Sequence, residues 1–110
     1  MTEMSSSQHD AFVAQVSHVP HLAAIGLTLA AQAEAMGLSA GGFSDMTRVA
    51  QSDPALWREI CLTNRRSIIQ AMNRFLKELN RLHRLIAKNS GHLLAKQFRT
   101  AQRRRLRLKQ

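Results

Sequence analysis

The stretch SIIQAMNRFLKELNRLHRLIAKN, residues 67–89, repeats its apolar side chains with the period of a helix. Ile68, Met72, Phe75, Leu79, Leu82 and Ile86 are spaced by four, three, four, three and four residues, a heptad seam that puts all six on one stripe. Arg66, Arg74, Lys77, Arg81, Arg84 and Lys88 fill the other faces. Ile69, Leu76 and Leu85 widen the apolar stripe beyond one seam, and so broad a stripe has to be covered by another element or another chain.

Working outward, Asn89-Ser90-Gly91 breaks this helix, and an amphipathic segment from His92 carries Leu93, Leu94 and Phe98 into a basic tail. Upstream, Ser52-Asp53-Pro54 is a helix start, with Asp53 as N-cap and Pro54 as first helical residue. The helix from Pro54 is expected to run to about Asn89, bent near Thr63-Asn64. Before it, GLSAGGFS (37–44) reads as a loop in which Gly41-Gly42 allow unusual backbone angles and a close approach. Ser44 is the expected cap of a short helix from Asp45 to about Gln51. The first long helix is expected from His9 to about Met36, with Ser6 or Ser7 as N-cap and Gly37 as its stop. Pro20 lacks an N–H and its ring crowds the Val16 carbonyl, which predicts a kink there.

The reading is all-α: a long kinked N-terminal helix, a short helix, a long heptad-patterned helix and a C-terminal helix. Residues 1–8 read as a linker, 9–95 as the helical domain and 96–110 as the basic tail. The composition agrees, because the 110 residues include only 5 Gly, 2 Pro and no Tyr, which disfavours strands and turns. The two long apolar faces exceed what four helices can cover in one chain, so an intertwined dimer is expected. One cysteine, Cys61, excludes an intrachain disulfide and fits a reducing, cytoplasmic setting. No Lys/Arg-flanked apolar start marks a signal peptide. The longest uncharged stretch, Ala11 to Ala33, is interrupted by Gln15, Ser17, His18, Pro20 and His21, which argues against a membrane span.

The net charge of +9 is uneven. The last fifteen residues hold Lys96, Arg99, Arg103, Arg104, Arg105, Arg107 and Lys109 and no acid, whereas the first 95 carry nine basic and seven acidic groups. The tail lacks aromatic interleaving and any recognition motif, so nucleic-acid binding is not the expectation for it.

On an ideal helix Asp10, Ser17 and His21 fall within about 40° of one another, with Ala14 and Ala24 as small neighbours, while His18 lies roughly 60° from His21. Such a wall suits a polar ligand, and suits interhelical hydrogen bonds equally well. Arg48, after the diglycine, can fork onto a carboxylate, or stay a solvated surface arginine. Trp57 reads as packing that can also border a site. Cys61 has no base beside it and reads as packing. The histidines lack the carboxylate or cysteine partners of a metal site. No GxGxxG or GxxxxGK[ST] occurs, so no phosphate-cradling loop is present.

His9-Asp10, Ser17-His18-Val19-Pro20-His21, Gly41 to Ala50 (GGFSDMTRVA), Ser52-Asp53-Pro54, Trp57 and Asn64 together resemble, in order and separation, the C-terminal half of the prephenate/arogenate dehydrogenase family over roughly residues 3–88. The resemblance implies a 6-phosphogluconate dehydrogenase C-terminal-like helical domain that forms a homodimer and closes the prephenate pocket. Relatives oxidise and decarboxylate prephenate to 4-hydroxyphenylpyruvate in tyrosine biosynthesis. NAD or NADP and the catalytic histidine belong to an N-terminal Rossmann domain, absent from these 110 residues, so no catalytic and no cofactor-binding residue is expected here and the isolated chain is expected to be inactive. By position, His21 contacts substrate, Arg48 grips a carboxylate, Gly41 and Ser17 border the pocket, His9 lies at the interdomain cleft, and Trp57 lies near the site at the dimer contact. Ser44 replaces the basic residue many relatives carry, which bears on prephenate against arogenate. The competing reading is a non-enzymatic helical dimer whose tail binds nucleic acid or an acidic partner; a weaker third is a regulatory module for an aromatic amino acid.

Overall fold

The computed structural model describes residues 4–38 and 41–108. Two compact units divide at Asn73/Arg74. All the regular elements of the described residues are helical.

In the first unit, α1 (Ser6–Val13) is capped by Ser5 rather than by Ser6 or Ser7. The Ser5 hydroxyl accepts from the Gln8 N–H at 3.1 Å, and the Gln8 side chain accepts from the Ser5 N–H at 3.0 Å. Of the three serines, only Ser5 has a glutamine three residues on to close this reciprocal box. A widened π turn, Ala14–His18, comes next, in which the Val19 N–H donates to the Ala14 carbonyl. It leads directly into α2 (Val19–Ala30). The expected kink at Pro20 is therefore a change of hydrogen-bond register just before the proline: the wider turn absorbs the missing N–H without breaking the helix.

The helix stops at Ala30, not Met36. Ala31 is extended (φ −75°, ψ 135°), and α3 (Ala33–Met36) is a single turn ending at Gly37. Residues 32–35 are exposed, so nothing but alanine propensity would carry the helix through them, and propensity without packing is weak. Residues 39–40 of the expected loop lie outside the described residues. Its second half is helical: α4 spans Gly41–Thr47, with Ser44 inside it rather than capping it, and a 3-10 turn covers Arg48–Gln51. Phe43 and Thr47 form its half-buried side, and both α4 and the 3-10 turn pack on α2. Neither glycine has a positive φ, and a Cβ on Gly42 would meet nothing within 4 Å. The expected special backbone there is thus absent.

Helix α5 (Pro54–Thr63) starts as expected, its Ala55 N–H donating to the Asp53 carboxylate at 3.0 Å. The bend at Asn64 is a full break (φ −107°, ψ 34°) before α6 (Arg65–Ala87). The core of this unit is small: Ala14, Val19, His21, Ala24, Ile68 and Ala71.

The second unit holds the end of α6 and all of α7 (Gly91–Leu106). Asn89 adopts φ 56°, the Ser90 N–H donates to the Leu85 carbonyl and the Asn89 N–H to that of Ile86. This is a Schellman stop with asparagine in the left-handed position usually held by glycine. The basic segment stays helical to Leu106.

The heptad seam is only partly covered. Ile68 is buried and Met72, Phe75 and Leu82 are half-buried, but Leu79 and Ile86 are 44% and 63% exposed. Length and composition alone would let the continuous helix Ser6–Ala30 cross a membrane, despite Gln15, Ser17, His18, Pro20 and His21 within it. Here that helix carries four of the six core residues: Ala14, Val19, His21 and Ala24.

Candidate functional site

Two helices bring the aromatic and polar groups together. Pro54 and the Asp53 cap fix the start of α5 and hold Trp57 in its first turn, where the Trp57 N–H donates to the Asp53 carbonyl at 3.2 Å. His21 sits in the first turn of α2, just past Pro20. The two rings stack face to face, with centroids 3.5 Å apart and planes 5° from parallel. His18 meets the same indole edge-on at 5.9 Å and 86°. His21 is 6% exposed, and burial holds its imidazole below its ordinary pKa of 6.5. It is therefore neutral at pH 7 and offers hydrogen bonds, not charge.

Beside this stack lies an open cleft of about 350 Å³. His9, Asp10, Val13 and His18 form one wall; Glu59, Ile60, Thr63 and Asn64 form the other. Asn64 ties the walls together. Its Nδ2 donates to the Asp10 carbonyl at 3.1 Å and lies 3.3 Å from His18 Nδ1. With an amide donor facing it, Nδ1 of His18 accepts and the ring proton rests on Nε2. The helix break at Asn64 is what points this side chain back at α1. His9 and Asp10 make a loose, exposed pair at 3.9 Å.

Of the residues singled out from sequence, His9 and Asp10 line the cleft, and Trp57 and His21 form the stack next to it. Arg48 is exposed on the 3-10 turn that packs on α2, the helix of His21. Gly41 is exposed at the start of α4. Ser17 is exposed and does not share a face with buried His21. The expected Asp10/Ser17/His21 stripe fails because the π turn takes in an extra residue and rotates the downstream helix by about 100°. The same rotation brings in His18, which the ideal wheel set aside. Asn64 and Glu59 had no expected role in the cleft; a polar residue at a helix break was the available signal for the first. Among the described residues no three His, Cys, Asp or Glu side chains form a metal-binding group.

The small core, the uncovered seam and the polar cleft define an all-helical domain with an exposed apolar face and a polar cleft. The chain belongs to the family described as the prephenate dehydrogenase dimerization domain, whose model matches residues 5–100. It is 37% identical to a cyclohexadienyl dehydrogenase of Zymomonas mobilis over 96% of this chain and 39% of that protein. It is 31% identical to a prephenate dehydrogenase of Bacillus subtilis over 90% of this chain and 28% of that protein. A prephenate dehydrogenase from Aquifex aeolicus, solved with hydroxyphenyl propionate and NAD+, superposes with a TM-score of 0.86 at 33% identity, over 96% of this chain and 39% of that one. The 110 residues thus span about two fifths or less of the curated relatives they match.

Proposed function

We propose that this chain is the dimer-forming and substrate-closing part of a cytoplasmic prephenate dehydrogenase, acting with a nucleotide-binding domain supplied in cis or in trans. The family match over residues 5–100 carries this reading. The reaction is the NAD(P)-dependent oxidative decarboxylation of prephenate to 4-hydroxyphenylpyruvate. The nicotinamide accepts the hydride; this chain has no glycine-rich phosphate loop to hold the dinucleotide, so its residues bind and orient the substrate.

Prephenate carries two carboxylates. Arg48, exposed on a turn braced by α2, supplies a fork for one of them. His21, fixed by the Trp57 stack and neutral at pH 7, directs a hydrogen bond without adding charge. His9 borders the opening on the nucleotide-domain side, and Gly41 and Ser17, both exposed, are surfaces that closure covers. A second copy covers the seam left open at Leu79 and Ile86, giving a homodimer.

The test is reconstitution. Mixed with or fused to a nucleotide-binding domain of this family, the chain should give prephenate-dependent NADH formation, and should give none alone. Arg48→Ala should lower kcat/KM by about 10- to 100-fold, the cost of a lost charge-assisted hydrogen bond. Full activity of that variant would remove the carboxylate role, and no turnover with a competent domain would remove the reading.

A further inference from the structure

No acidic side chain comes after Glu78, while ten of the sixteen Lys and Arg residues do. The charge of the molecule therefore belongs to the end of α6 and to α7. Along α7 and its C-cap residue, Lys96, Arg99, Arg103 and Arg107 recur at intervals of three, four and four, which places them within about 80° on one side of the helix. All four are exposed, and among the described residues none makes an ion pair. A different side of α7 faces α6: Gln97, Phe98, Thr100, Ala101 and Arg104 border a hollow of about 240 Å³ whose other wall is Glu78, Arg81 and Leu82. Arg81 is the cation already taken there, paired with Glu78 at 3.0 Å.

We propose that the Lys96–Arg99–Arg103–Arg107 stripe is a sequence-independent binding surface for the phosphate backbone of double-stranded nucleic acid. The stripe is mostly arginine, whose planar fork suits phosphate oxygens. It runs for roughly 16 Å of helix, a length that faces several phosphates of a duplex. Phe98 borders the hollow on the α6 side and the basic side carries a single ring, His92 at its N-terminal end, too few to stack a run of unpaired bases, which favours duplex over single strands. A second copy of this chain is a poor occupant, because a two-fold contact through the stripe would oppose like charges.

The full chain is titrated against a mixed-sequence DNA duplex by filter binding between 50 and 200 mM salt. Four phosphate contacts predict a linear log–log salt dependence and a loss of affinity on the order of 10²-fold across that range. Replacing the four stripe residues with Gln should abolish binding while circular dichroism shows the helix retained. A Gln variant of Arg66, Arg74 and Lys77, basic residues elsewhere in the chain, should bind like the parent. Failure to bind at 50 mM salt, binding unaffected by the stripe variant, or tighter binding to phosphatidylserine vesicles than to duplex each overturns the proposal.

Discussion

At the scale of single residues, the burial of His21 between α2 and the indole of Trp57 has a thermodynamic sign. Its folded pKa lies below 6.5 because the charged ring is desolvated. Below 6.5 the unfolded chain takes the proton first, so its contribution to stability, fully present above that pH, declines as pH falls towards the folded value and then levels off. Urea unfolding followed by circular dichroism should therefore show stability rising with pH across that window. His21→Phe keeps a ring on Trp57 and removes the titration, and its difference from the parent should appear as a flatter profile; an identical slope would show that His21 does not carry the effect. The histidine itself is visible in the sequence as part of a SHxPH motif. Its partner is not, because Trp57 lies thirty-six residues away and only the mutual packing of α2 and α5 makes the pair.

At the scale of elements, the strong local signals hold in the structure and the weak ones do not. Asp53-Pro54, the break at Asn89 and the long heptad helix each rest on a residue whose chemistry allows few alternatives. The glycine pair and the alanine run do not. In sequence Gly41 and Gly42 read as a loop, yet the packing of α4 on α2, with Phe43 and Thr47 half-buried, outweighs their intrinsic cost. Gly42→Ala should accordingly raise stability by about 0.5–1 kcal/mol, seen as a higher urea midpoint; a lower midpoint would mean that something outside this chain's own contacts needs the bare backbone. The opposite holds at Asn89, where φ is 56°. Asn89→Ala should cost about 1 kcal/mol and Asn89→Gly nothing, by the same measurement. The π turn is the least legible element: Pro20 announces a disturbance but not whether the helix bends or widens, and that choice decides whether His18 or Ser17 reaches the cleft.

At the scale of the whole molecule, the excess of apolar faces is readable in the sequence, and the structure leaves Leu79 and Ile86 of that face exposed. No large side chain is completely buried among the described residues. For the proposed homodimer an aspartate in the seam should be decisive: Leu79→Asp is expected to halve the mass seen by light scattering or to unfold the chain, since an unpaired carboxylate costs several kcal/mol in an apolar interface. An unaltered folded dimer would place the interface elsewhere. Trp57 is the single tryptophan of all 110 residues, and it lies flat against the one buried histidine. The chain consequently carries an intrinsic fluorophore in contact with its proposed substrate-gripping group, so emission from one known position can report protonation, ligand entry or domain closure without any attached dye.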